Sequence, residues 1–155
     1  MNSDFKDLLR AFNDAGARYL VVGGYAYAEH VEPRYTKDLD IWIDRSPENA
    51  ERTLGALRDF GAPLRELSID DLTASGTFYQ IGLPPNRIDI ITQLEEMDFA
   101  ECWERRKTVH LGGLSVYYLS ARDLIENKER TGRPHDLEDA EHLRQAQERN
   151  DDHEM

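Results

Sequence analysis

The stretch Asp38-Leu39-Asp40-Ile41-Trp42-Ile43-Asp44 decides the fold, because carboxylates and aliphatic residues alternate along it. Alternation with a period of two is the pattern of a β-strand, whose successive side chains point to opposite faces of the sheet. The three aliphatic residues are therefore predicted to face a core. The aspartates and Trp42 are predicted to share the opposite face.

Two of these carboxylates, Asp38 and Asp40, would stand roughly 7 Å apart along one face of the strand. Aspartate is disfavoured in strands, and like charges at such a separation repel each other. A bound cation would cancel the repulsion and would explain why aspartates occur in this strand. We therefore expect Asp38 and Asp40 to bind divalent metal ions.

Composition describes a well-solvated globular chain of 155 residues, 39% of them hydrophobic and 32% charged. No apolar run approaches the roughly 20 residues that span a bilayer, and the first residues lack the features of a signal peptide. The single cysteine, Cys102, excludes an internal disulfide framework. These features predict a cytoplasmic protein that does not interact with membranes.

The formal net charge is −12 at pH 7. Such a charge argues against broad, nonspecific binding of nucleic acids, which depends on clustered lysine and arginine. A local phosphate site remains compatible with it. Part of the acidity lies in residues 150–155, which are predicted to form a disordered tail.

A candidate phosphate site precedes the acidic strand. A short strand over 18–22 is followed by Gly23-Gly24 and a helix that begins at Tyr25. Free N–H groups at a helix start point at an anion, and glycine lets it approach the backbone, although most glycine pairs only form turns. Arg34 and Lys37 could steady a phosphate or neutralise the aspartates, and a solvated surface charge is an equal alternative for Lys37.

A third aspartate lies in a later strand. Residues 76–83 and 87–92 are predicted to form a hairpin, which places Asp89 among isoleucines. A buried carboxylate is costly unless it is paired or bound to metal. Arg87, two residues away on the same face, offers a simple ion pair as the alternative to a metal.

The remaining pattern predicts an α+β (α/β) architecture, a mixed sheet of about four to five strands with flanking and C-terminal helices. Residues 62–74 show no clear period, residues 98–107 resemble a helix, and residues 114–119 resemble a strand. Residues 1–149 are expected to form one domain, with a core over about 18–92 and a helical part over about 98–149.

In their order and spacing, these motifs resemble the nucleotidyltransferase superfamily that includes DNA polymerase beta. Gly23-Gly24 is followed after thirteen residues by Asp38-Leu39-Asp40, and Asp89 comes later in an apolar strand. The resemblance implies the nucleotidyltransferase fold. It also implies a nucleoside triphosphate substrate and two Mg²⁺ ions, which Mn²⁺ could replace, held by Asp38, Asp40 and Asp89.

The C-terminal third resembles the AbiEii-type abortive-infection toxins, which carry a helical lysine followed by an arginine and two aspartates. Here these are Lys128, Arg133, Asp136 and Asp139. The resemblance implies a small bacterial or archaeal toxin of a toxin–antitoxin system, with an antitoxin as its partner. His135 stands where the family usually has lysine or arginine.

The mechanism implied by the resemblance is in-line attack of an acceptor hydroxyl on the α-phosphate, with release of pyrophosphate. Asp89 would help to deprotonate the hydroxyl, while the glycine pair and Lys128 would secure the β- and γ-phosphates. Tyr25 stands where many relatives have serine or threonine, so phosphate holding falls on backbone N–H groups and Lys128. Asp136 and Asp139 would be acceptor-side groups, or else they cap a helix and pair with Arg133.

The resemblance implies one of three kinds of acceptor. These are an RNA (for example a tRNA end), a protein side chain, and a small molecule. A catalytically silent nucleotide-binding or partner-binding module on the same fold is the second hypothesis. A structural or antitoxin-like protein that binds no nucleotide is the third. Of the aspartates on the first strand, Asp44 is expected to mark its exit rather than bind metal, and Trp42 to pack beneath the site.

Overall fold

Seven α-helices and six β-strands form within residues 1–34, 36, 38–64, 66–82 and 86–153, which the computed structural model describes. Lys37 and residues 83–85, part of the predicted hairpin, lie outside these ranges. The helices are α1 (Ser3–Asp14), α2 (Gly23–His30), α3 (Pro47–Phe60), α4 (Ile69–Thr73), α5 (Phe99–Glu104), α6 (Ala121–Thr131) and α7 (Pro134–His153). The strands are β1 (Tyr19–Val22), β2 (Leu39–Ile43), β3 (Phe78–Ile81), β4 (Ile88–Ile91), β5 (Lys107–Leu111) and β6 (Leu114–Tyr118).

The strands form one mixed sheet in the order β3-β4-β2-β1-β6-β5. The predicted acidic strand is β2, which lies inside the sheet between antiparallel β1 and parallel β4. Strand β6 runs parallel to β1, and the edge strands β3 and β5 pair antiparallel with their neighbours. The mixed sheet with flanking and C-terminal helices confirms the predicted fold class.

The sheet has six strands rather than the predicted four to five. The additional strand is β5, which forms a hairpin with β6 and is not predicted from the sequence. The helix predicted over 98–107 ends at Glu104, and Lys107 begins β5. Gly112 and Gly113 join the two strands with φ values of 54° and 88°. Two successive positive φ values are required by the two-residue turn that matches the twist of a hairpin.

Residues 62–74 were expected to be irregular, but they contain the short helix α4. Ser68 and Asp71 form a capping box, in which each side chain bonds the backbone N–H of the other residue. Such a box satisfies two N–H groups that a helix start leaves without partners. Five helical residues are too few to produce a helical period in the sequence.

Helix α7 is the last element and continues to His153, past residue 150 where the sequence predicts a disordered tail. It spans 20 residues, which is the length of a membrane-crossing helix, but its sequence is rich in charge. Among the described residues, no helix is both long enough and apolar enough to cross a membrane.

The two faces of β2 differ as the alternation predicts. Leu39, Ile41 and Ile43 are fully buried in the core. Asp40 and Trp42 lie on the other face, where Trp42 is 2% exposed and meets the ring of Phe99 edge-on, with the ring centroids 5.0 Å apart. Trp42 therefore packs inside the protein, as expected.

The C-terminal end of α2 is fixed to the end of β6. The buried Nε2 of His30 lies 2.7 Å from the backbone oxygen of Leu119 and must donate, because a carbonyl oxygen only accepts. The N–H of Leu119 donates in turn to the backbone oxygen of Val21. These bonds set the position of α2 on the sheet, and with it the position of the glycine pair at the other end of the helix.

The burial of His30 predicts a pH-dependent part of the stability. Burial lowers the pKa of His30 below its ordinary value of 6.5 and outweighs the hydrogen bond to Leu119, which raises it. Nearby Lys107 lowers the pKa further, and Glu29 opposes this. The unfolded chain therefore takes up the proton first, and the free energy of unfolding falls as the pH decreases below about 6.5. The slope for this one group is at most about 1.4 kcal/mol per pH unit.

The variant His30→Gln should lose this dependence, because a glutamine amide can donate to Leu119 but does not titrate. Urea unfolding at pH 7.5, 6.5 and 5.5 measures the stability difference between wild type and variant, which should shift in favour of the variant on acidification. His110→Gln, at an exposed histidine of β5, should leave the wild-type slope unchanged. A constant difference between wild type and His30→Gln would contradict this assignment.

Candidate active site

Two aspartates lie directly beside each other on neighbouring strands. Asp40 of β2 and Asp89 of β4 are register partners in a parallel pair, where strands are about 4.8 Å apart. Asp89 is only 5% exposed. Two ionised carboxylates so close together repel each other, and neither can donate a hydrogen bond to the other.

The electrostatics of this pair resist full ionisation. Burial raises the pKa of Asp40 to about 7, and the neighbouring carboxyl group of Asp89 adds to the effect. The charge of Asp38 acts in the same direction, and Arg87 opposes it. A cation placed between the two carboxyl groups would favour the ionised form of Asp40, because an adjacent positive charge stabilises a carboxylate.

Arg87 joins the third aspartate to the pair. Its Nη2 donates to Oδ2 of Asp38 at 2.7 Å, and its Nε lies 3.3 Å from Oδ1 of Asp89. The second contact is an ion pair without hydrogen-bond geometry, so both atoms stay buried without a hydrogen-bond partner among the described residues. The ion pair left open by the sequence is therefore present, and it lies inside the carboxylate cluster.

The start of α2 lies directly against Asp40. A Cβ atom added to Gly23 would lie 2.3 Å from Oδ2 of Asp40, and the φ of Gly23 is +66°. Val22, the residue that precedes the helix, provides no side-chain cap for its first N–H groups. Only glycine permits this approach, which brings the positive end of a helix to the carboxylate pair.

Gly24 is also closely packed. Its added Cβ would lie 2.8 Å from the methyl group of Thr36, a residue of the loop before β2. The two glycines therefore have separate neighbours: Gly23 lies against the acidic strand, and Gly24 against the loop that leads into it.

The residues of this site are of the kind that binds the predicted metal ions. Their present arrangement, however, does not form a metal site. Carboxylate oxygens are the ligands that Mg²⁺ prefers, and the buried Oδ1 of Asp89 has no hydrogen-bond donor among the described residues. Yet no three His, Cys, Asp or Glu residues in the described ranges are placed to hold a metal ion together. Arg87 forms ion pairs with Asp38 and Asp89 there.

A second cluster joins the loop before β2 to the C-terminal helices. The Nζ of Lys128 lies 3.2 Å from Oδ2 of Asp139, whose other oxygen accepts from Nη2 of Arg34 at 3.1 Å. The guanidinium group of Arg34 lies 3.5 Å from the ring centroid of Tyr27. Asp139 and Tyr27 thus bring together two of the predicted nucleotide-binding cations, Arg34 and Lys128.

The ionised state of Asp139 is favoured by these partners. Burial alone would raise its pKa, but the hydrogen bond from Arg34 and the charge of Lys128 outweigh burial, and the pKa is lowered. A carboxylate with a lowered pKa is a weak base. This geometry suits the positioning of the two cations better than proton abstraction.

Asp136 has a similar environment. It is 3% exposed and accepts from Oγ1 of Thr131 at 2.9 Å and from Nε of Arg133 at 2.7 Å. These hydrogen bonds lower its pKa although burial opposes them. The ion pair with Arg133, one of the two alternatives drawn from the sequence, is therefore present, and an acceptor-side role for Asp136 stays a prediction.

Tyr25 points away from the carboxylate pair. Its ring meets Phe5 of α1 edge-on, with the centroids 5.8 Å apart. It also lines a cavity of about 450 Å³ together with Arg34 and Thr36. A cavity of about 490 Å³ beside β3 touches none of the predicted site residues.

Sequence reasoning missed Tyr27 and Thr131. Tyr27 follows Gly23 by one helical turn, and its hydroxyl group lies 3.2 Å from Nδ1 of His142 in α7. No local pattern marks a tyrosine as the platform for an arginine. For Thr131 the signal was present, since a threonine close to an arginine and an aspartate at a helix junction is a common hydrogen-bond donor.

Alanine at Gly23 and at Gly55 should have opposite effects. Gly23→Ala introduces a clash with Asp40 and a strained φ, so we expect a loss of roughly 1–3 kcal/mol in the free energy of unfolding. Gly55 lies inside α3 with open space around its added Cβ. Gly55→Ala should therefore stabilise the protein by up to about 1 kcal/mol, because alanine is the better helix former.

Urea denaturation of both variants beside the wild type measures these changes. Equal effects of the two substitutions would show that Gly23 does not provide the close approach to Asp40.

Comparison with known protein families and with curated proteins finds no match. The fold does match the crystal structure of a "putative nucleotidyltransferase" from Thermotoga maritima, with a TM-score of 0.59 and 19% sequence identity. The match covers 91% of this chain and 88% of that chain. At this identity the likeness concerns the fold alone: the chain has the mixed-sheet fold of that nucleotidyltransferase structure.

Proposed function

We propose that this chain is a Mg²⁺-dependent nucleotidyltransferase that transfers a nucleoside monophosphate from a nucleoside triphosphate to an acceptor hydroxyl. The observation that carries the proposal is the pair of Asp40 and Asp89 against the glycine start of α2. A cluster of three carboxyl groups with one cationic side chain, Arg87, lies beside a helix start that has no side-chain cap. A metal–triphosphate complex would satisfy both.

The triphosphate is held by α2 and by the second cluster in this proposal. The first N–H groups of α2, at Gly23 and Gly24, bind phosphate oxygens, and Lys128 and Arg34 supply positive charge. Tyr25 contributes through its backbone, and Lys37 remains a predicted contact. The cavity of about 450 Å³ lined by Tyr25, Arg34 and Thr36 offers room for the nucleoside or the acceptor.

Asp38, Asp40 and Asp89 are the proposed ligands of two Mg²⁺ ions, or of Mn²⁺. The metal would supply charge neutralisation at the phosphates and a lower pKa of the attacking hydroxyl group. Oδ1 of Asp89, buried and without a hydrogen-bond donor among the described residues, would take up the hydroxyl proton. The acceptor oxygen bonds the α-phosphorus while the bond to the β-phosphate oxygen breaks, and pyrophosphate leaves.

A toxin of the AbiEii type is the finer assignment that we propose. It is supported by the clustering of Lys128, Arg133, Asp136 and Asp139 at the junction of α6 and α7. Under this proposal the protein is cytoplasmic and its partner is an antitoxin. Asp139 acts by positioning Lys128, with which it forms a 3.2 Å ion pair.

The three consecutive basic residues 105–107 all make contacts within the fold. These contacts favour a small molecule or a protein side chain, rather than long RNA, as the acceptor. Arg105 pairs with buried Asp123, and Arg106 lies 3.9 Å from the ring centroid of Trp103. Lys107 pairs with Glu29. Since all three cations have partners within the fold, they offer little charge for an RNA backbone.

Removal of the carboxylate pair should abolish nucleotide transfer. Incubation with labelled nucleoside triphosphates, Mg²⁺ and candidate acceptors should label an acceptor and release pyrophosphate. Asp40→Asn and Asp89→Asn should lower the rate at least about 100-fold, as expected when a charged group acts at the reacting centre. Asp44→Asn is the matched control, because Asp44 accepts from the N–H of Ser46 and asparagine can do the same.

Circular dichroism of each variant separates loss of activity from loss of fold. Equal labelling by the wild type, Asp40→Asn and Asp89→Asn would contradict the proposed mechanism.

A catalytically silent nucleotide-binding module is the second candidate. The observation that favours it is the position of Arg87, which engages two of the three carboxylates that a metal would need. On this alternative, nucleotide binds at α2 and Lys128, but no pyrophosphate is released.

Calorimetric titration with nucleoside triphosphate and Mg²⁺ tests the phosphate site that both candidates share. Lys128→Met should weaken binding about tenfold or more, because it removes a charge-assisted contact worth about 1.5–3 kcal/mol. Lys107→Met, which breaks only the pair with Glu29, should bind as the wild type does.

Binding without pyrophosphate release would favour the silent module. If Lys128→Met and the wild type bind nucleoside triphosphate equally tightly, Lys128 does not contribute to the nucleotide site. A protein that binds no nucleotide at all would contradict both candidates.

A further inference from the structure

Arg87 occupies the place in the carboxylate cluster that a cation would take. Its guanidinium group lies between Asp38 and Asp89, at 2.7 Å and 3.3 Å from their oxygens. Asp40 lies beside Asp89 on the neighbouring strand. One arginine therefore compensates a cluster of three carboxyl groups.

The backbone of Arg87 is fixed while its side chain has freedom to leave. Its backbone oxygen accepts from the N–H of Leu39, which ties the start of β4 to β2. The side chain is 32% exposed, and Nη2 makes its hydrogen bond to Asp38. Nε is buried without a hydrogen-bond partner among the described residues, so rotation of the side chain to solvent gives up only one well-formed hydrogen bond.

A divalent ion and the arginine cannot share the site. Two positive groups within about 4 Å repel each other by several kcal/mol even at an effective dielectric constant of 20. The same oxygens of Asp38 and Asp89 would have to serve both. Metal binding therefore requires that the guanidinium group moves away.

We propose that Arg87 is an internal counterion that competes with the metal: it holds Asp38 and Asp89 together in the metal-free protein and turns to solvent when a divalent ion enters. The inference rests on the proposed function, because it takes these aspartates as the metal ligands. Arg87 is a positioning residue, since it acts through the carboxylates. Arg87 thus stabilises the metal-free protein and lowers the affinity of the carboxylates for a metal ion.

Neutralisation of Arg87 should therefore have two effects of opposite sign. In Arg87→Gln, unpaired carboxylates repel each other, so the metal-free protein should unfold at lower urea concentration. Divalent ions should bind about tenfold more tightly, because they no longer displace a cation. Arg87→Lys keeps the charge without the planar fork, and both effects should be smaller.

Calorimetric titration of the full chain with MnCl₂ and with MgCl₂, without nucleotide, measures the affinity. Urea unfolding in EDTA measures the stability of the metal-free protein. Arg45→Gln is the control, because Arg45 bonds only the backbone oxygen of Thr73 among the described residues. Its metal affinity should equal that of the wild type.

Tighter metal binding together with lower metal-free stability supports the inference, in Arg87→Gln or, should that variant not fold, in Arg87→Lys. Equal metal affinity of wild type and Arg87 variants would overturn it and leave the proposed metal site standing. Weaker binding by the variants would overturn it too, since Arg87 would then help to build the site. If neither wild type nor variants bind a divalent ion, the inference and the proposed metal site both fail.

Discussion

The placement of two carboxylates on adjacent strands is the constraint on which the rest of the site depends. Parallel pairing of β2 with β4 puts Asp40 beside Asp89, and burial makes two full negative charges there costly. Each neighbouring feature lowers that cost. Arg87 contributes positive charge, and Gly23 lets the positive end of α2 approach Asp40. A folded protein that needed only stability would place apolar residues at these positions.

Helix α2 connects the carboxylate pair to the cationic cluster. Gly23 at its start touches Asp40, and Tyr27, four residues later, carries the guanidinium group of Arg34. Four residues advance a helix by about 6 Å, so the two clusters lie about one helical turn apart along α2. The bond from His30 to Leu119 fixes the far end of α2, so the distance between the two clusters is set by the fold.

The sequence predicted those features whose causes are local. Alternation identified β2, because the period of a strand depends on neighbouring residues. The hairpin at Gly112 carried a local signal as well, but the polar residues of β5 obscured it. The pair of Arg34 with Asp139 spans 105 positions, and no local rule connects such residues. The mutual contact of Asp40 and Asp89 became visible only with the register of the strands.

Environment gives the aspartates of this chain different chemistry although their side chains are identical. Asp139 and Asp136 each have cationic partners and a lowered pKa, so they remain ionised and hold Lys128 and Arg133 in place. The pKa of Asp40 is raised, chiefly because the group is buried and also because another carboxyl group, that of Asp89, lies beside it. Groups whose environments push their pKa values apart take different roles in an active site. Under the proposed function, a proton or a metal ion would be exchanged at the pair on β2 and β4, and the carboxylates of α7 would orient Lys128 and Arg133.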